Sequence, residues 1–547
     1  MEIDVHPPLG ASGRPDELPR TPFLAAWLAF HAARCPDAPA VTAGSTTLGY
    51  RELEDRVEAL AAHLASRGVG PRTRVLLALA NSPATIVAAL AVSRLGATSV
   101  EVNRGWSADL LGEIVGRIGI RHLFMAGRDA PAWRRALRGL RVEHAWVVGH
   151  EESASDATLL ADHPVTWLGD DGRLAALDAG MSPAGRTTDV DPEPDWPALI
   201  LYTSGSTGRP HGVIQTHRNI DANSRSIVEY LGLTSRDRAL LSLPLYYCYG
   251  RSVLQTHLLV GGSVVLDGRM AFPRNVMGTL AAEGCTGFAG VPLTFEILRR
   301  KVDIASMSFP RLRYLTQAGG AMAPDTIAWA RSVFAPAELY VMYGQTEATA
   351  RLAYLPPYRA QEKRGSIGIA IPGVELRVVD GAGRELPPGV VGELVARGPN
   401  VTPGYVDDPA ETAVILRDGW LWTGDLAERD GDGFLYHRGR AREMLKIGGH
   451  RVAPAQIEEL IAQHPDVDEV AVVGVPDSLM GEVAVAFVVA RSDRAPTAEA
   501  LLARCRASLP ASVVPAAIAF LDALPRNEAG KLLRAELRSR ASRLAGG

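Results

Sequence analysis

Twice along this chain, apolar runs of strand length alternate with segments of helical period, and no other feature restricts the fold as much. In the first series the helical stretches Phe23 to Arg34 and Tyr50 to Arg67 lead into the runs Val75 to Ala80, Ala97 to Val102, His122 to Met125 and Ala145 to Val148. In the second, Ala239 to Leu243, Ser263 to Leu266, Thr286 to Ala289, Tyr314 to Gln317 and Leu339 to Val341 are each separated by a helical run. A parallel strand pair needs a long crossover and a helix supplies it, so the rhythm predicts parallel α/β layers. The length of 547 residues exceeds what one core serves, so more than one domain is expected.

The remaining stretches read differently. Residues 1–20 are rich in Pro, Gly and charge and are expected to form a loose arm. Glu151 to Pro197 has little periodicity and reads as a long connection. From Gly365 to His437, short alternating runs such as Glu375 to Val379 and Gly392 to Arg397 stand between Gly and Pro turns, the pattern of a small β-barrel or sheet. Gly439-Arg440 looks like a junction. Beyond it, a helix near Ala455 to Gln463, strands near Glu469 to Val475 and Glu482 to Val489, a helix near Thr497 to Ser508 and a basic terminal helix make a compact α+β unit.

Motifs fall at the strand ends, where open α/β sheets bind ligands. The apolar run Ala198 to Leu201 empties into Tyr202-Thr203-Ser204-Gly205-Ser206-Thr207-Gly208-Arg209-Pro210-His211-Gly212. Small residues let backbone N–H groups approach a polyphosphate, and hydroxyls add donors without bulk. Phosphate binding and a glycine-serine surface loop are the two readings, and the absence of Gly-Lys-Ser/Thr rules out a Walker loop. Similar strand ends carry Pro244 to Gly250, Gly290-Val291-Pro292, Ala318 to Ala321 and Tyr343-Gly344-Gln345-Thr346-Glu347, which suggests one cleft built from several loops.

Composition narrows the function. A net charge of −4 and a pI near 6.4 make no electrostatic case for nucleic acid. The longest apolar stretches, Ala84 to Val92 and Val483 to Ala490, are too short to span a bilayer, and with no apolar export core a cytoplasmic location is expected. Cys35, Cys248, Cys285 and Cys505 are scattered and form no metal or disulfide pattern. Only four of the 57 basic residues are lysine. If basic positions drift to Arg, each retained lysine needs a chemical reason; Lys301 and Lys363 read as solvated, Lys446 and Lys531 do not.

Taken in order, these motifs resemble the adenylate-forming superfamily of acyl-CoA synthetases, adenylation domains and beetle luciferases, from about Thr21 to Arg534. The resemblance implies a large core over 21–440, with two α/β layered subdomains and a small β-barrel, and a small mobile α+β domain over 441–547. It implies that Thr203, Ser204, Gly205, Ser206, Thr207 and Gly208 wrap the ATP phosphates, and that Gly319, Gly320 and Ala321 sandwich adenine with Tyr343. Gly344 and Gln345 join that wall. Thr346 would bond the α-phosphate, Glu347 would hold Mg²⁺, Asp425 would accept the ribose hydroxyls and Arg440 would sit nearby. Lys531 would bridge the substrate carboxylate and the α-phosphate. Arg442 falls at the hinge position, Lys446 in the hinge region, and Gly448-Gly449 would line the tunnel for a pantetheine arm.

Departures from the pattern bear on substrate. The phosphate loop ends Pro210-His211-Gly212 where the family has Pro-Lys-Gly, and a neutral imidazole would weaken a pyrophosphate clamp. Tyr247 replaces a usual His. Cys248 stands where amino-acid-activating members carry Asp, so an α-ammonium would be left unpaired there. Tyr246, Tyr247, Tyr249 and Val291 suggest an apolar or aromatic acyl wall; Arg251 would pair a second acidic or carbonyl group, or be solvated. The resemblance therefore implies an ATP- and Mg²⁺-dependent ligase for a small carboxylic acid without an α-amino group. The acyl group would pass to a phosphopantetheine thiol, on CoA or on an acyl or peptidyl carrier protein. Transfer to an amine and luciferase-like oxidation are the rivals.

Overall fold

The computed structural model describes residues 18–149, 163–174, 193–203, 210–447, 450–477, 479–491, 495–526 and 532–545. The first sheet has seven strands in the order Val165–Leu168, His144–Val148, His122–Ala126, Arg74–Ala78, Thr98–Glu101, Pro197–Thr203 and His211–Thr216, parallel except for the last. The second has nine: Ile369–Ala370, Ala353–Leu355, Glu338–Tyr343, Tyr314–Gln317, Gly287–Gly290, Arg238–Leu241, Ser263–Leu266, Pro39–Ala43 and Thr46–Gly49. Its six central strands are parallel, and antiparallel strands flank them on both sides.

One helical layer serves both sheets. The largest core cluster joins Leu77 and Leu199 of the first sheet to Val41, Leu241 and Val264 of the second, through Trp27, Leu53, Ile86, Ile220 and Leu258 of five helices. The helix Pro83–Arg94 is buried along its whole length, because it is apolar all round rather than on one stripe. Ser82 caps it, accepting from the Thr85 amide at 3.2 Å. The apolar stretch Ala84 to Val92 is thus a core helix, and among the described residues no helix is long and apolar enough to cross a membrane. The outer faces are covered separately, by Leu111 and Trp133 on the first sheet and Phe295 and Leu298 on the second.

Two of the sequence expectations need correction. Glu151 to Pro197 holds a strand, Val165–Leu168, paired in parallel with His144–Val148; its exposed, mixed-polarity edge position hid the apolar pattern. Lys363 is not solvated: it is 7% exposed and its ammonium meets Asp430 at 2.9 Å and also Asp432. The scarcity of lysine applied to it as well.

The small antiparallel unit follows as expected, with Glu375–Val379, Gly392–Arg397, Trp420–Arg429 and Leu416–Arg417 in order and Leu435–Arg440 paired to Trp420–Arg429. The C-terminal sheet packs Ile457 and Leu501 of two helices on one face and Leu537 of the last helix on the other.

A histidine cluster in the first sheet sets an acid limit. His144 lies 4.5 Å from Trp146 between ring centroids, with His63 and His122 close by. Burial, then the charge of Arg67 and the neighbouring histidines, pushes the His144 pKa down to about 4. The unfolded chain takes up that proton near 6.5, so stability is complete above that value and is lost as pH falls from about 6.5 towards about 4. His144→Gln is expected to flatten the fall in melting temperature between pH 7 and pH 5; an unchanged slope would assign the acid lability to other groups.

Candidate active site

The site lies at the carboxyl ends of the parallel strands, and its loops are held by contacts between the sheets. Asn81, after Arg74–Ala78, donates to the Leu243 carbonyl at 2.8 Å and accepts from the Leu245 amide at 2.9 Å, which fixes the start of the tyrosine-rich loop. That loop turns into the helix Cys248–Val260 at Gly250, where a Cβ would stand 2.3 Å from the Pro244 carbonyl. Gly344 is equally constrained: a Cβ there would meet the Ala350 carbonyl at 2.0 Å. Without that close approach, the turn carrying Thr346 and Glu347 could not fold back on itself.

Three expected residues from separate elements converge. Tyr343, at the end of its strand, donates its hydroxyl to Asp425 Oδ2 at 2.6 Å, and Arg440 Nε donates to Oδ1 at 3.1 Å. Asp425 and Arg440 face each other across the ladder of Trp420–Arg429 and Leu435–Arg440. His437 Nε2, which the sequence reading missed, lies 3.5 Å from the same oxygen. Asp425 is 3% exposed. Burial alone would raise its pKa, but His437, Arg440 and Tyr343 outweigh that and hold the carboxyl below its ordinary value, so it stays an acceptor. Gly319 and Gly320 end the neighbouring strand, exposed with Ala321, and the Gln317 side chain donates to the Gly320 carbonyl at 2.7 Å.

A second group forms around Thr346. Its hydroxyl donates to Cys248 Sγ at 3.4 Å, and Gln215 donates to the Thr346 carbonyl at 3.3 Å. Burial pushes the Cys248 thiol pKa up, so it remains neutral. Glu347 Oε1 accepts from the Tyr405 hydroxyl at 2.8 Å, and the Tyr405 ring lies 4.9 Å from His211. Tyr405 is a further residue the motifs did not reveal. His211 Nδ1 stands 3.4 Å from Asp408 Oδ2. Thr203 and His211 pair across the antiparallel ladder, which sets the two ends of the Gly- and Ser-rich stretch side by side.

Other expectations separate from this group. Tyr246 and Tyr247 are half-buried, with ring centroids 4.7 Å apart, and Val291 begins the helix Pro292–Lys301 against Gly319. Arg251 is neither solvated nor available to a substrate, because it is buried in an ion pair with Glu101. Lys446 is exposed on Leu445–Ile447, its amide donating to Glu482 at 2.6 Å. Ser204, Gly205, Ser206, Thr207, Gly208, Gly448, Gly449, Lys531 and the Arg442 side chain lie outside the described residues.

Two covered, mainly parallel sheets with loops gathered at their strand ends, followed by a small α/β unit, make the architecture that the resemblance to adenylate-forming enzymes implies. Residues 28–406 match the AMP-binding enzyme family and residues 456–531 match the AMP-binding enzyme C-terminal domain. The chain is 34% identical over 530 residues to a feruloyl-CoA synthase from Amycolatopsis sp, covering 95% of this chain and 99% of that one. To an indoleacetate–CoA ligase from Aromatoleum aromaticum it is 31% identical over 525 residues, covering 95% and 98%. Among solved structures, ATP-bound MatB from Rhodopseudomonas palustris superposes with a TM-score of 0.85 at 28% identity, covering 96% of this chain and 99% of that one. The chain belongs to the AMP-binding enzyme family, and in class it is an AMP-forming acid–thiol ligase.

The position of His211 can be tested directly. With Asp408 facing it, His211→Lys is expected to pair with that carboxylate and to change the KM for ATP by less than about threefold, the scale of a partly exposed ion pair. A tenfold gain in ATP affinity would show that the position reaches the nucleotide.

Proposed function

We propose that the protein activates a carboxylic acid lacking an α-amino group as its acyl-adenylate, at the expense of ATP, and passes the acyl group to the thiol of CoA. The observation that supports this reading is the Tyr343–Asp425–Arg440 constellation, a buried ionised carboxylate beside an aromatic ring, to which we assign the two ribose hydroxyls. In the first step a carboxylate oxygen attacks the α-phosphorus and the bond to pyrophosphate breaks; in the second the thiol sulfur attacks the acyl carbon and AMP leaves. Thr346 is assigned to the α-phosphate and Lys531 to the charge that builds between the two anions. The 441–547 unit is assigned the movement that exchanges Lys531 for the Gly448-Gly449 face.

Glu347 fits Mg²⁺ as a single carboxylate ligand, its Oε1 steadied by Tyr405. Among the described residues no group of three or more His, Cys, Asp or Glu could hold a metal ion. Mg²⁺ takes phosphate and water oxygens beside one or two carboxylates, a donor set that a single Glu fits. The ion would offset phosphate charge.

The neutral thiol at Cys248 supports the exclusion of α-amino acids, since it offers an ammonium no counter-charge. The test is pyrophosphate release with aliphatic, aromatic and amino acids, repeated with CoA, a carrier protein or an amine as acceptor. Acid-dependent release followed by CoA thioester formation supports the reading. Release with amino acids alone, or oxygen uptake in place of thioester, overturns it.

A further inference from the structure

Four arginines are buried among the described residues, and one of them lacks a carboxylate partner. Arg56 meets Glu52 and Asp171, Arg94 meets Glu54 and Glu58, and Arg251 meets Glu101. Arg351, 3% exposed, has no carboxylate within ion-pairing distance among the described residues. Its Nε donates to Met342 Sδ at 3.3 Å, its Nη1 to the Ala350 carbonyl at 3.4 Å, and its guanidinium lies 4.1 Å over the Tyr249 ring. A thioether is a weak acceptor, a ring face attracts a cation without neutralising it, and guanidinium does not give up its proton in proteins. Burial of that charge is costly until an anion meets it.

The arginine borders a cavity of about 20 Å³, room for one water-sized group, which it lines with Tyr230, Ala289, Thr316 and Met342. Among the described residues no Asp or Glu lines this cavity. His257 lines it as a neutral ring: Nδ1–H donates to the Val253 carbonyl at 2.7 Å, Nε2 lies 3.0 Å from the Tyr314 hydroxyl, and burial lowers its pKa. Tyr249 stands between the cavity lining and Cys248. It follows Cys248, which accepts from Thr346, and its hydroxyl reaches Thr316 at 2.8 Å while its ring covers Arg351. The side chain is not needed to seat the backbone, because the Arg351 carbonyl already accepts from Asn223 at 3.1 Å and Asn400 at 2.9 Å.

We propose that Arg351 reads the far end of the acid, and that the substrate carries a second carboxylate, one oxygen of which takes the water-sized space against this guanidinium while the first is adenylated beside Thr346. This rests on the acid-activating reading above, and it moves to Arg351 the role that Arg251, paired with Glu101, cannot fill. The same cation also disfavours an α-ammonium in the pocket.

The test uses the full chain and pairs of acids that differ only at the far end, octanoate with octanedioate and cinnamate with 4-carboxycinnamate, in ATP–pyrophosphate exchange. In at least one pair the wild type is expected to favour the dicarboxylate by about 10²-fold or more in kcat/KM, as a buried polar group left unpaired discriminates against the analogue. Arg351→Met removes that preference by lowering the dicarboxylate rate alone, and Arg351→Lys keeps part of it, having charge without the planar fork. A wild-type preference for the monoacid in both pairs overturns the proposal whether or not the variants fold, and so does an equal loss on both members of a pair in Arg351→Met. Exchange with monoacids and no far-end preference sinks the Arg351 assignment alone; no exchange with any carboxylic acid sinks the reading beneath it as well.

Discussion

Lys531→Ala is expected to lower acyl-adenylate formation by about 10²- to 10³-fold and to leave acyl transfer from preformed adenylate to CoA nearly unchanged, because a preorganised cation aimed at developing charge has that scale of effect. One anion attacks another in the first half-reaction, the carboxylate on the α-phosphate, and the approach is repulsive until a positive charge stands between them. The second half-reaction brings a thiol to a neutral acyl carbon and has no such need. Nothing in Asp425, Arg440 or Thr346 duplicates the lysine: Arg440 is committed to Asp425, and the Thr346 hydroxyl donates to Cys248. Separate measurement of pyrophosphate exchange and of thioester formation from synthetic adenylate decides the matter. Equal loss in both would end the assignment of Lys531 to one step.

The second large effect is expected at Cys248. Cys248→Asp should reduce activity with the preferred acid by roughly 10²-fold or more, each 1.4 kcal/mol being about tenfold. The thiol is buried enough to be held neutral, and it shares its surroundings with Glu347 and the Thr346 hydroxyl. A carboxylate placed there must either ionise near Glu347 without a substrate cation to meet it or stay protonated at a cost. If it turns towards Arg351, it takes the charge that the far end of the acid would otherwise meet. Each route weakens the ordinary acid, while an α-amino analogue brings an ammonium that the new carboxylate can pair. Pyrophosphate exchange with an acid and its α-amino analogue, on both proteins, is the measurement. A wild type that already prefers the amino analogue would mean that another residue binds the ammonium.

The strands were legible where they are apolar and end in motif loops: Ser263–Leu266, Tyr314–Gln317, Glu375–Val379 and Gly392–Arg397 fall where their patterns place them. Tyr343, Asp425 and Arg440 could be tied together through the resemblance, and the structure brings them within hydrogen-bond reach. Tyr405 was missed because its partners Glu347 and His211 are distant in sequence, and His437, on the strand beside Asp425, because it lies outside every motif that marked the site. Arg351 had a readable sign, a lone charge in the otherwise uncharged run Ala348 to Leu355, but only its surroundings show that no acid among the described residues answers it. Arg251 failed in the opposite direction: its partner Glu101 sits on a strand of the other sheet, where local pattern cannot place it.

The hairpin Pro39–Gly49 has a consequence for biogenesis. Val41 pairs with Val264, so this strand finds its parallel neighbour only after about 220 more residues have been made. Until then Pro39–Ala43 offers an open backbone edge, and an open edge recruits other chains. Long-range parallel pairing also closes slowly. The nascent chain is therefore expected to complete its seven-stranded sheet only after residue 216 and its nine-stranded sheet later still, with the emerging hairpin as the segment a chaperone would shield.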